Sequence, residues 1–357
     1  MLESFSVQNY KNFKDKAILD FTKVKNYAFN RHLVKNDLLN KILIIGNNGS
    51  GKTNIGRALF DIVYTLTDFN VEPAQIDSSS FINGDSISDY AEFSYVFRDG
   101  DHRIEYTYRK TAPLMIVYEM LMVDDNLIFL RDGKKSDYTG MYRIGSENLR
   151  MESIEDGRLS LLRYIARNTV QSDDSPVHFI MRFTEGMLYY RSTQDGNSFI
   201  GYLNRIETIE SYLRKNDLVK EFQEFLVDTA DVHMDLETID GPMGELLVQK
   251  TRKQQLLFDS VASSGTRALL LFFYWMKHFG GVTFLFMDEF DAFYHYELSA
   301  KVMDEVCNYS GFQTVFTSHN TFLVGNDRMR PDCYMVLDDG KIRSFPELTE
   351  RELRQGH

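Results

Sequence analysis

The eight residues Gly46-Asn47-Asn48-Gly49-Ser50-Gly51-Lys52-Thr53 combine three glycines, a lysine and a hydroxyl at fixed offsets. Glycines let the backbone fold tightly enough to aim successive N–H groups into one concavity, and the start of a following helix adds positive charge there. Such a concavity takes phosphate. At this spacing Lys52 is placed to reach the β- and γ-phosphates of a nucleoside triphosphate, and the Thr53 hydroxyl to ligate Mg²⁺. The expected nucleotide contacts are Gly46, Asn47, Asn48, Gly49, Ser50, Gly51, Lys52, Thr53 and Asn54. The alternative is a glycine turn with a surface lysine. The flanks speak against it, because the apolar run Ile42-Leu43-Ile44-Ile45 precedes the loop and a helix-like stretch from Asn54 to Phe60 follows it.

Further groups of this kind lie toward the other end of the chain. Phe284-Leu285-Phe286-Met287-Asp288-Glu289 reads as a buried strand ending in two acids, where an open α/β sheet places ligand groups. Asp288 is expected to share the Mg²⁺ with Thr53, and Glu289 to polarise an attacking water. Ala262-Ser263-Ser264-Gly265-Thr266-Arg267 precedes a strongly apolar helix, so its hydroxyls and N–H groups form a second anion site or an ordinary serine N-cap. His319, just after a strand, could hydrogen-bond a γ-phosphate or be a structural histidine.

The elements that position these groups follow from periodicity. Residues 4 to 24 alternate as two short strands around a polar turn, Gln8 to Lys14. Thr53 to about Leu66 has helical spacing, and Ala91–Phe97, Ile104–Tyr108, Ile116–Val123 and Leu127–Leu130 form two hairpins. From about Ser146 to Asp235 the pattern is helical, with Arg158, Arg163 and Arg167 on roughly one side of the first helix. Those arginines read as a solvated face before they read as a nucleic-acid contact. Arg31, His32 and Lys35 are a nucleotide-side basic cluster or a solvated loop. Residues 254 to 344 return to alternating helices and strands. The expected organisation is therefore one composite nucleotide-binding domain, 1–66 with 240–357, interrupted by β hairpins at 67–144 and a helical insertion at 145–239.

Composition bounds the partners. The chain has 357 residues, 43% hydrophobic, enough for a sizeable core, and its net charge of −12 argues against a coat of positive charge for indiscriminate nucleic-acid binding. The longest apolar helix candidate, Ala268 to Met276, is too short to span a bilayer, so no membrane role is expected. Met1-Leu2-Glu3-Ser4 has neither a basic head nor an apolar signal core, and a cytoplasmic protein is expected. Cys307 and Cys333 lack metal-ligand spacing and read as structural thiols.

Taken in order, Gly46 to Thr53, Ser263-Ser264-Gly265-Thr266, Asp288-Glu289, Asp291 and His319 resemble an ABC-type ATPase head, an α/β P-loop NTPase with a mixed-sheet core and an antiparallel β and helical insertion. The opening Phe5-Ser6-Val7-Gln8-Asn9-Tyr10-Lys11-Asn12-Phe13 is similar to the start of the SMC, RecF and OLD group. The chain looks most like the compact bacterial AAA/OLD-like ATPases of phage-defence operons, such as the AriA components of PARIS systems. That likeness extends to the hairpins, to Arg191-Ser192 after an aromatic run, and to the ending Glu352 to His357.

The resemblance implies ATP and Mg²⁺ sandwiched between two heads in a homodimer or higher homo-oligomer. Ser263 and Gly265 would touch the γ-phosphate held by the second subunit, Asp291 would lie in the loop linking the two sites, and His319 would be the switch histidine. The signature reads Ala-Ser-Ser-Gly-Thr, which leaves the contribution of Ser264 open, and Gln75 is the candidate for the glutamine loop. No acidic cluster of a TOPRIM nuclease follows His319, so an effector of that kind would be a separate protein. Three readings follow: a defence-system sensor ATPase commanding such an effector, a DNA repair ATPase like RecF or SMC, and an ATP-held scaffold with slow turnover.

Overall fold

The computed structural model describes residues 1–68, 80–149, 157–191, 198–201, 208–242 and 244–349. The alternating start of the chain gives β1 (Leu2–Gln8) and β2 (Ala17–Asp20), antiparallel, with Phe5 opposite Leu19. A short ribbon, β3 (Val34–Lys35) and β4 (Leu38–Leu39), leads into β5 (Lys41–Ile45), every residue of which is buried. Consecutive apolar residues suit a strand covered on both faces.

The phosphate-loop segment follows β5 and passes into α1 (Lys52–Leu59) and α2 (Asp61–Leu66). The one helix expected here is thus broken at Phe60. The Tyr95 hydroxyl donates to the Ala58 and Leu59 carbonyls at 3.2 and 3.1 Å, occupying acceptors that the next helical N–H groups would use.

Both expected hairpins are present, as β6 (Ala91–Asp99) with β7 (His102–Ala112) and β8 (Met115–Val123) with β9 (Asn126–Arg131). They join the first two strands in a six-stranded antiparallel sheet, ordered β2-β1-β6-β7-β8-β9. Residues 2–8 therefore pair with the first hairpin, and 17–20 extend that sheet through β1, and neither segment joins the core sheet.

The next stretch contains α3 (Leu161–Asn168) and α4 (Pro176–Glu185), then β10 (Met187–Arg191) and β11 (Ser198–Gly201), then α5 (Ile209–Lys215) and α6 (Val219–Ala230). Helix throughout was expected, but Met187-Leu188-Tyr189-Tyr190-Arg191 is a strand of the core. Aromatic and apolar side chains favour a covered strand, and a run of five is too short for periodicity to separate strand from helix.

Nothing in the sequence pattern marks the next three strands, β12 (Leu236–Gly241), β13 (Gly244–Lys250) and β14 (Gln255–Leu257), which form a small antiparallel sheet. After α7 (Phe258–Val261) and the largely buried α8 (Ser264–Met276) come β15 (Phe284–Asp288), α9 (Tyr296–Asn308), β16 (Gln313–Ser318), β17 (Tyr334–Asp338), β18 (Lys341–Ser344) and α10 (Phe345–Leu348).

The core sheet has seven strands in the order β11-β10-β15-β16-β5-β17-β18. Its five inner strands run parallel, and the two edge strands are antiparallel to them. Parallel pairing sends the ends of β5, β10, β15 and β16 to one side, where the sequence has Gly46, Arg191, Asp288 and Ser318. The fold is thus the expected α/β core with antiparallel and helical additions. Helix α1 lies between the two large sheets: Tyr95 holds its end from one, while Phe60 packs on Tyr189 of the other with ring centroids 5.5 Å apart.

Cys307 and Cys333 are buried and free. Arg31, His32 and Lys35 are exposed and so is Arg167, which fits the solvated reading of these groups, whereas Arg163, which pairs with Asp68 as Arg167 does, has a side chain only 17% exposed and is not part of a solvated face. Among the described residues, no helix is long and apolar enough to cross a membrane.

Helix α3 is tied to the antiparallel sheet by a carboxylate. Glu119, wholly buried on β8, accepts from the Leu161 and Leu162 N–H groups, from the Ser160 and Tyr106 hydroxyls and from Arg131 at 2.7 Å. Taking away one partner of such a network leaves the others desolvated and unpaired. Glu119→Ala is expected to lower the unfolding free energy by roughly 3–5 kcal/mol in denaturant titration.

Candidate functional site

The loop before α1 uses its glycines for backbone reasons. Gly49 and Gly51 have φ of 80° and 106°, a region that side chains resist. At Gly46 a Cβ would lie 2.7 Å from the Leu337 carbonyl oxygen, so the loop passes too close to β17 for any other residue. The Lys52 ammonium donates to the Gly46 and Asn47 carbonyls at 2.7 and 3.0 Å. Burial lowers its pKa below the ordinary lysine value, and the carboxylates of Glu289, Asp288 and Asp291 act in the opposite sense.

Asn12, in the turn between β1 and β2, donates to the Ser50 carbonyl at 3.3 Å and accepts from the Asn54 amide at 2.7 Å. It braces the loop from outside. Ser50 Oγ is buried without a hydrogen-bond partner among the described residues, an orphaned polar atom inside the cradle.

Asp288, at the end of β15, is completely buried and accepts three hydroxyls. Thr53 and Tyr189 donate to Oδ2, each at 2.9 Å, and Thr317 donates to Oδ1 at 2.8 Å. Thr317 in turn accepts the Glu289 N–H at 2.8 Å. Glu289 has φ of 47°, a left-handed conformation uncommon outside glycine, asparagine and aspartate. Its Oε2 accepts from Arg191 at 2.7 Å, and Arg191 Nε lies 3.4 Å from Asp288 Oδ2.

Asp291 accepts from the Ser318 hydroxyl at 2.7 Å, and burial pushes its carboxyl above the ordinary value. His319 is exposed immediately beyond β16.

The structure therefore gathers the loop, Thr53, Asp288, Glu289, Asp291 and His319 at one edge of the core sheet. Ser263, Ser264 and Gly265 are placed differently. Ser263 N-caps α8, accepting from the Thr266 N–H at 3.1 Å, and both serines are exposed. Among the described residues, none of the three hydrogen-bonds to the loop or to the acid pair. Gln75 lies outside the described residues.

Sequence reasoning assigned no role at the site to Tyr189, Arg191, Thr317 or Asn12. The signal for the first two was the aromatic run ending in Arg191, obscured because its surroundings read as helix. Thr317 and Asn12 carry no pattern of their own.

The residues present fit Mg²⁺ in one particular manner. Among the described residues no group of three or more His, Cys, Asp or Glu side chains is arranged to hold a metal. A hydroxyl and a carboxylate in contact, Thr53 and Asp288, suit an ion held mainly by phosphates and water.

A family model described as "AAA domain, putative AbiEii toxin, Type IV TA system" matches residues 42–325. No curated protein matches the chain in sequence. Solved structures of low identity are similar to the chain along most of its length. An SMC head bound to the C-terminal winged-helix domain of ScpA is 16% identical, covers 96% of this chain and 97% of its own, and has a TM-score of 0.49. The SMC head domain from Thermotoga maritima is 13% identical over 96% of this chain and 98% of its own, with a TM-score of 0.44. An SMC head with an extended coiled coil, bound to the C-terminal domain of ScpA derived from Pyrococcus furiosus, is 13% identical over 96% of each chain, with a TM-score of 0.48. These likenesses are distant, and no residue role is transferred from them.

Thr317 links the two acids through one hydroxyl, so its removal acts on both. Thr317→Val keeps the shape, takes one donor from the buried Asp288 carboxylate and leaves the Glu289 N–H without its acceptor. It is expected to lower stability by roughly 1–3 kcal/mol in urea titration; an unchanged midpoint would mean that water replaces the hydroxyl.

Proposed function

Because the chain belongs to the AAA-domain family whose model spans residues 42–325, we propose that it is an ATP-hydrolysing head that dimerises around ATP and Mg²⁺ and regulates a separate effector in bacterial anti-phage defence. A P-loop ATPase fold binds nucleotide, typically with Mg²⁺. The observation that carries the reading is the hydrogen bond from Thr53 to Asp288, which sets the acid-ended strand directly against the phosphate loop.

In this reading the loop N–H groups from Gly46 to Asn54 surround the phosphates, and Lys52 turns from the loop carbonyls to the β- and γ-phosphates. Thr53 and Asp288 hold Mg²⁺, which supplies charge neutralisation at those phosphates when bound. Glu289 takes the proton of the attacking water. His319 reports the γ-phosphate from the end of β16.

Ser263 and Ser264, exposed, and Gly265, half-buried beside them at the start of α8, are unconnected to their own loop and free to face the loop of a second copy. Asp291 sits between the two sites. The core sheet, to which 187–191 and 198–201 contribute β10 and β11 beside the segments from 1–66 and 240–357, carries the chemistry, and the hairpins and helices around it carry partner recognition. The family description refers to a toxin of a toxin–antitoxin system, which suits a chain that works with a second protein such as a nuclease.

One observation favours a slower variant of the same reading, an ATP-held scaffold. The proposed base, Glu289, is ion-paired to Arg191 through Oε2, which ties one of its two carboxylate oxygens to a cation.

Lys52→Ala is expected to lose ATP affinity, since the phosphate charge is then unpaired, and calorimetry that finds unchanged binding would refute the assignment. Glu289→Gln is expected to accumulate an ATP-bound dimer. Light scattering that finds monomer alone at saturating ATP would count against the sandwich.

A further inference from the structure

Arg191 is the last residue of β10, in parallel register with Asp288 on β15. Among the described residues, both ion pairs of the acid pair involve it: its terminal nitrogen meets Glu289 at 2.7 Å, and its Nε stands 3.4 Å from Asp288 Oδ2. The two contacts differ in kind. The first is a hydrogen bond, while the buried Nε makes none among the described residues. Asp288 already receives hydroxyls from Thr53, Tyr189 and Thr317, so it offers the guanidinium attraction without a well-aligned acceptor. Arg191 is held chiefly by Glu289.

We infer that Arg191 is a positioning residue that works as an ion-pair latch: it holds Glu289 until a nucleoside triphosphate enters, then passes to the anionic oxygens of that nucleotide, freeing Glu289. The inference rests on the nucleotide reading of the loop.

Its physical basis is competition for one guanidinium. The Lys52 ammonium lies near the carboxylates of Asp288, Glu289 and Asp291 but donates to loop carbonyls, so among the described residues Arg191 is the cation in ion-pair contact with Asp288 and Glu289. A divalent cation arriving beside Asp288 repels that charge. The triphosphate that accompanies it attracts the guanidinium, whose planar fork suits phosphate oxygens as well as it suits a carboxylate. Arg191 is suited to the move, since its side chain is 29% exposed and, among the described residues, its hydrogen-bonded anchor is a single carboxylate oxygen. Glu289 is meanwhile fixed through its backbone, by the left-handed φ and the bond to Thr317, and stays in place when the guanidinium leaves.

A double-mutant cycle on affinity tests the latch. Wild type, Arg191→Gln, Glu289→Gln and the double variant are titrated with a fluorescent non-hydrolysable ATP analogue and, separately, with a fluorescent ADP. Mg²⁺ is present, and the protein is dilute enough to be monomeric by light scattering. Arg191→Gln is expected to weaken the triphosphate roughly tenfold and the diphosphate less than about twofold, the loss of one charge-assisted contact. Glu289→Gln releases the guanidinium and is expected to tighten the triphosphate several-fold in the wild-type background, with no gain once Arg191 is Gln.

An equal gain in both backgrounds would mean that Glu289 simply repels phosphate, and would overturn the latch. So would equal weakening of the two nucleotides by Arg191→Gln. Arg191→Lys, which keeps the charge without the fork, is expected to fall between wild type and Gln and serves in the cycle if Gln fails to fold. Triphosphate binding that depends on Lys52 while the cycle is additive removes the latch alone. No triphosphate binding by the wild type removes the nucleotide reading with it.

Discussion

A carboxylate with no exposure to water must have its charge answered inside the protein, and Asp288 is answered from three directions. Thr53 comes from the helix after the phosphate loop, Tyr189 from β10 and Thr317 from β16. A buried anion with a missing partner is expensive, so these elements can close around Asp288 only in a narrow range of positions. The loop is placed by that requirement as much as by its glycines. Glu289 inherits the same placement, because the hydroxyl that satisfies Asp288 also accepts the Glu289 N–H.

The parts of this arrangement that were legible in the sequence are those governed by local rules. Strand β5, the glycine loop and the acid-ended β15 each have a pattern within a few residues, and helices α8 and α9 follow from spacing. What stayed hidden depends on pairing between distant segments. Met187 to Arg191 has the composition of a core strand, yet only its neighbour β15 tells it apart from the helices around it. Residues 2–20 look like strands, but whether they join the core or the hairpins is decided by β6, some ninety positions away. Tyr189, Arg191 and Thr317 were missed for that same reason. Each acts on an acid about thirty to one hundred residues distant in sequence.

The break at Phe60 has a similar origin. Ile55, Leu59, Ile62, Val63 and Leu66 have continuous helical spacing, and nothing among them stops a helix. The interruption comes from the Tyr95 hydroxyl, which belongs to another sheet.

That contact has a mechanical side. Helix α1 begins inside the phosphate loop and ends under Tyr95, with Gly56 close enough to the core sheet that a Cβ there would meet the Phe286 ring at 2.4 Å. Eight residues at about 1.5 Å each make a rod of roughly 12 Å. One end carries Thr53 against Asp288 and the other lies under Tyr95, so this rod joins the acid pair of one sheet to an aromatic of the other.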